Sequence, residues 1–303
     1  MDPLSLLGAA ILTAVLIAGI LAGRWRDSGE KNQRAQLLAW PLGVALAFLV
    51  GALVYSGHPR WPINENEDRF LAVLLPLVAL TEAIALFLKP SLAWSGRLLV
   101  ALAASPILLF KSEFFQTWST PTWLWLGGLP IGLMLAWVSL DLQVRHLPPR
   151  TVLLGLAGVN AGAGIVLMFA GYATGGPLGI ILVAALVTTV LVTPRTVPTS
   201  VVSGVAGIGL VGLFALLVSG HFFAYLGLDH AAMLFAAPLL AWCLILPGIR
   251  KVAPLRLAVL ILEAIPVLGA AGLAWHRSQQ TELPRSVNNA ADYSPSDYDQ
   301  FGK

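Results

Sequence analysis

The sequence predicts an all-α fold: a polytopic bundle of about ten transmembrane helices with both termini on the outer side. Three observations predict it. Of 303 residues, 57% are hydrophobic and only 11% charged, with a mean hydropathy of +0.82, whereas a soluble domain has roughly a quarter of its residues charged. Apolar runs recur along the whole chain at lengths near the roughly 20 residues that cross a hydrocarbon core of about 30 Å as a helix. Basic residues gather in alternate connections between these runs, the pattern that sets orientation in a bilayer.

Taken in order, the runs cover residues 4–23, 37–56, 70–88, 98–110, 122–140, 151–171, 178–193, 201–218, 231–246 and 257–275. The first follows Met1-Asp2-Pro3 and has its arginines after it, not before it. A secretory signal has the opposite arrangement, so this helix is expected to be retained. The fourth run is the short one, rising only about 20 Å as a helix. Its helix must therefore extend past Arg97 or Lys111, with those side chains snorkelling to the membrane surface. A re-entrant fourth segment would put the later arginines on the other side and reverse the charge bias, so ten spans are expected.

With the N-terminus outside, the inner connections carry Arg24, Arg26, Lys31, Arg34, Lys89, Arg97, Arg145, Arg150, Arg195, Arg250, Lys251 and Arg256, which is twelve of the 18 basic residues. The outer side keeps Arg60, Arg69, Lys111, Arg277, Arg285 and Lys303. Trp25, Tyr55, Trp61, Trp94, Trp118, Trp123, Tyr172, Tyr225 and Trp275 fall near run ends, as amphipathic rings do at headgroup level. The domain organisation is then a bundle over residues 1–275 and a polar tail over 276–303, rich in Ser, Asn, Asp and Pro and expected to be disordered. The expected location is the cell (inner) membrane.

The formal charge of +3 and pI near 9.2 come largely from these orienting residues, so they do not point to nucleic acid. One cysteine, Cys243, builds neither a disulfide nor a cysteine metal cluster within the chain. No HExxH or nucleophile-elbow string occurs, and the inner connections are too short for a phosphate-binding fold. Soluble-type catalysis is therefore not expected, and no cofactor is called for.

Glu82 and Glu263 are the acids placed well inside runs, each within the string Glu-Ala-Ile and each six residues from the inner end of its run. An ionised acid near a helix centre costs about 2.5–3.5 kcal/mol on insertion scales, so something must compensate for it. Both share a helical face with alanines and are expected to look into the bundle, as a proton- or cation-linked site or as carboxyls bonded to a neighbouring helix. Asn160, an amide deep in a glycine-rich run, is a third candidate for contacting a solute or bonding another helix. His221 and His230 are a weaker pair of candidates for a metal or haem iron, since imidazoles from different helices can converge on one.

Gly207-Ile208-Gly209-Leu210-Val211-Gly212 matches GxGxxG, but the string lies mid-run, with neither a preceding strand nor water around it. These glycines, like Gly158 and Gly162 or Gly43, Ala47 and Gly51, are expected to let neighbouring helices approach closely. Six prolines inside runs, Pro41, Pro76, Pro106, Pro130, Pro238 and Pro266, are compatible with kinks. Three functions fit: a small-solute or ion permease, resting on the ten spans, the buried acids, Asn160 and the prolines, a non-catalytic scaffold for other membrane subunits, or an intramembrane enzyme or electron carrier. The scaffold reading rests on how few polar residues the bundle has to line a hydrophilic path.

Overall fold

The computed structural model describes residues 3–26, 33–57, 63, 65–110, 112, 120–193, 197–240 and 264–276. All regular structure among them is helical. The helices are α1 (Pro3–Arg26), α2 (Gln33–Ser56), α3 (Asn66–Arg69, a π turn over Phe70–Leu74, then Leu75–Ala85), α4 (Pro90–Leu109) and α5 (Thr120–His146). They continue as α6 (Pro149–Phe169), α7 (Gly175–Val192), α8 (Thr199–Phe223), α9 (Leu228–Leu240) and α10 (Ala264–His276). A helix thus lies on each predicted apolar run, in whole or in part. Among the described residues six, α2 and α4 to α8, are long and apolar enough to cross a membrane.

The outside of the bundle carries many exposed large apolar side chains. Leu99 is 68% exposed, Leu124 71% and Leu191 75%. So many exposed apolar side chains call for a hydrocarbon neighbour, not water. The molecule has the make-up of a multi-pass membrane protein.

The centre of the bundle is α8, which touches α2, α3, α4, α5, α6, α7 and α9. Every residue from Val201 to Gly220 is buried. Its small residues permit this crowding, because a Cβ on Gly212 would stand 2.5 Å from Leu182 Cδ2 and one on Gly209 2.8 Å from Leu156 Cδ2. Between α6 and α7 the approach is backbone to backbone: a Cβ on Gly179 would meet Gly164 Cα at 2.9 Å. The expected close packing holds at Gly51, Gly43 and Gly162, which press on Thr13, Ile20 and Val267. It does not hold at Gly158, where a Cβ would meet nothing within 4 Å.

The fourth helix corrects an expectation. It begins at Pro90, whose fixed φ suits the first turn, and its 20 residues rise about 30 Å. It therefore runs seven residues past Arg97, yet that side chain does not snorkel: it is 6% exposed and turned into the bundle. Pro76 lies in the first turn of the Leu75–Ala85 segment of α3. It has no N–H to give the preceding turn, and the wider π turn at Phe70–Leu74 ends just before it.

Helix ends are closed by arginines. Arg69 donates from Nη1 to the Leu108 carbonyl at 3.0 Å and also to that of Phe110, at the C-terminus of α4. Arg150 donates to the Thr193 carbonyl at the C-terminus of α7 at 2.6 Å. Both place a cation where orphan carbonyls and the helix dipole favour one.

Candidate functional site

Helices α3 and α4 form an antiparallel hairpin. Its turn closes through Phe87 N–H to the Ile84 carbonyl at 3.0 Å and Leu88 N–H to the Ala85 carbonyl at 3.3 Å. Residues equidistant from such a turn face each other at one level. Glu82 and Arg97 are equidistant from Lys89 and Pro90, and there they meet: Nε donates to Oε1 and Nη2 to Oε2, both at 2.8 Å. This is the two-pronged match of guanidinium and carboxylate, stronger and more directional than a single charged contact. Glu82 is 1% exposed, so the compensation its position requires is a full counter-ion.

Two further helices extend the pair outward. Arg97 Nη2 also donates to Ser203 Oγ on α8 at 3.0 Å, and that hydroxyl donates to Asp141 Oδ1 on α5 at 2.9 Å. Arg97 Nη1 stands 3.7 Å from the same oxygen. Asp141 Oδ2 accepts from Arg145 Nε at 2.9 Å, one turn further along α5. A polar chain therefore runs from buried Glu82 through Arg97, Ser203 and Asp141 to Arg145, whose side chain is 58% exposed.

Aromatic rings hold the guanidinium. Trp94 lies three residues before Arg97, with the cation 4.9 Å from its ring centroid, and Trp137 contributes a second ring at 5.7 Å. Such contacts strengthen as water is removed. The indole Nε1 of Trp137 is buried with no aligned hydrogen bond among the described residues. It stands beside Glu82 Oε1, because a Cβ on Gly207 would lie 3.0 Å from each. Gly207, at the head of the GxGxxG string, is therefore not only a packing glycine: its missing side chain is where a carboxylate and an indole fit.

The chain of charges opens on a cavity of about 320 Å³, lined by Glu82, Trp94, Arg97, Asp141, Arg145 and Ser203 among others. It lies at the end of the bundle that carries Arg145 and the α3–α4 turn.

Of the other predicted residues, those within the described residues do not join it. Glu263 lies outside the described residues. Asn160, fully buried on α6, donates from Nδ2 to the Leu156 carbonyl of its own helix at 2.8 Å. His221 pairs through Nδ1 with the Leu226 carbonyl at 2.9 Å and packs against Trp125, beside an apolar cavity of about 590 Å³. Since a carbonyl only accepts, Nδ1 carries the proton there. His230 pairs with Asp229 at 3.0 Å. Among the described residues no three His, Cys, Asp or Glu side chains stand close enough to share a metal ion.

At the opposite end of α3 lies a second polar group. Asn66 Nδ2 donates to Tyr172 Oη at 2.9 Å, and Thr174 donates to Glu67. Burial, with the Glu67 carboxylate close by, pushes the Tyr172 phenol well above its ordinary range. It remains a neutral hydroxyl under all ordinary conditions.

Sequence reasoning reached Glu82 and missed Arg97, Asp141, Ser203, Trp94 and Trp137. The signal for Arg97 was its symmetry with Glu82 about the turn. Asp141 had one in its i, i+4 spacing to Arg145. Ser203 had none. No protein-family model matches the chain, and no curated protein matches it either.

Proposed function

We propose that this chain is a small-solute permease, a ten-span protein of the cell membrane with both termini outside, whose solute site is the charged cavity between α3, α4, α5 and α8. One observation carries the reading: in a mostly apolar bundle, four helices each contribute to one polar chain, with both carboxylates and both arginines on three of them, that leads from a buried carboxylate to an open cavity. A structural ion pair needs two partners and no cavity. A buried pair is also often no more stabilising than apolar residues of the same volume, so stability alone is a weak reason to build this one.

The basic residues bordering the cavity belong to the inner set, which supports an opening toward the cytoplasm. A scaffold for other membrane subunits would use the apolar outer faces and leave the charged cavity without a task.

The test is uptake of small solutes by purified protein in sealed vesicles with an imposed proton gradient. The parent is expected to give gradient-dependent flux, and Glu82→Gln at equal insertion is expected to lose at least tenfold. No flux of any solute, together with stable co-purification of other membrane subunits, would support the scaffold instead.

A further inference from the structure

We propose that the cavity takes up a small monocarboxylate together with one proton, the carboxylate replacing Glu82 as the partner of Arg97 and the proton passing to Glu82. The inference rests on the permease reading and gives that site its substrate class.

Charge balance sets the terms. The cavity holds two cations, Arg97 and Arg145, and two carboxylates, Glu82 and Asp141. A buried site of this kind tolerates little net charge, so a bare ion is poorly received, whereas an anion with a proton leaves the sum unchanged. Arginine does not give up its proton in proteins, so the proton must go to a carboxylate.

Geometry selects the anion. Arg97 presents a planar fork whose Nε and Nη2 hold two carboxylate oxygens at 2.8 Å each, with Trp94 and Trp137 fixing the plane of the guanidinium. Glu82 is in effect a tethered occupant of a carboxylate site. The site opens on about 320 Å³ of space, enough for a molecule of a few carbon atoms and some water.

Geometry also selects the proton's destination. The groups facing Glu82 are Arg97 from α4, the uncharged Ser203, Gly204 and Gly207 from α8, Pro41 from α2 and Trp137 from α5, with Asp141 and Arg145 beyond Arg97. When Arg97 turns to a solute, Asp141 keeps Arg145 and Ser203, but Glu82 keeps no cation. A buried carboxylate without a counter-ion is neutralised by protonation. One O–H bond of a hydronium ion breaks as one O–H bond forms on a Glu82 carboxylate oxygen, releasing water, and one ion pair is exchanged for another.

The experiment is titration of the purified full chain in detergent with sodium acetate, in dilute buffer containing a pH indicator, with tryptophan emission followed in parallel. The parent is expected to show a saturable emission change with one proton taken up per acetate, and a tenfold weaker apparent affinity for each pH unit of increase. Glu82→Gln is expected to bind acetate with no proton uptake and no such pH dependence. The parent's proton count stands whether or not the variant folds. Saturable acetate binding without proton uptake would overturn the proposal, as would binding of zwitterionic glycine in place of acetate. Proton-linked acetate binding without flux in vesicles would remove the permease reading and leave the site; flux of another solute by protein that ignores acetate would do the reverse.

Discussion

The two sides of α8 use the same residue type for opposite ends. Toward α6 and α7, Gly209, Gly212 and Gly220 receive the leucine side chains of Leu156, Leu182 and Leu167. Toward α3 and α5, Gly204 and Gly207 receive the carboxylate of Glu82 and the indole of Trp137. One side is a dry knob-and-hole contact; the other is a berth for polar atoms. A glycine in an apolar helix thus reports only that something comes close, and its neighbour decides whether that is packing or chemistry.

The sharpest way to break this contrast is to strip the polar side of its cation. Arg97→Gln leaves Glu82 buried without a counter-ion, and the expected loss is about 3–5 kcal/mol of stability, read from unfolding in detergent. A smaller effect separates the two faces. Gly207→Ala puts a methyl 3.0 Å from both Glu82 Oε1 and Trp137 Nε1 and is expected to abolish most flux and acetate binding. Gly212→Ala meets only the end of the Leu182 side chain. It should cost about 1–3 kcal/mol by overpacking and leave flux intact. If both alanines impair flux equally, the distinction between the faces is wrong.

The smallest expected effect concerns the far end of α3. The Tyr172 phenol is raised in the folded protein from an ordinary value of 10.0. The folded state therefore holds a proton that the unfolded state releases above about pH 10, and stability falls as pH rises through that window. Tyr172→Phe removes this contribution and also the hydrogen bond from Asn66, worth about 1 kcal/mol. The variant should be less stable at neutral pH and lose less on going from pH 9 to pH 11, as followed by unfolding at each pH.

The helices were legible because hydrocarbon imposes its demand directly on composition: a backbone in lipid must satisfy itself, and only long apolar runs can be helices there. Glu82 was legible for the same reason, as a charge where charge is costly. Arg97 was not, because the apolar run 98–110 begins just after it, and a basic residue beside an apolar run reads as an orienting charge. Its helix starts eight residues earlier, at Pro90, and that start carries the arginine into the bundle. Asp141 likewise falls one residue beyond the apolar run 122–140, although α5 continues to His146. Ser203 and Trp137 are ordinary span residues in sequence and acquire meaning only when four helices converge. The mistaken uniformity of the glycine reading has the same source: spacing along one helix says nothing about which neighbour faces each position.

The central claim is that Glu82 and Arg97 act as one unit inside the bundle, and a double-variant cycle tests it most directly. Unfolding free energies in detergent are measured for the parent, Glu82→Gln, Arg97→Gln and the chain carrying both. The account predicts that the double variant is more stable than Arg97→Gln alone, with a coupling energy of about 2–3 kcal/mol. Losses that add to within about 0.5 kcal/mol would mean that the two side chains do not meet.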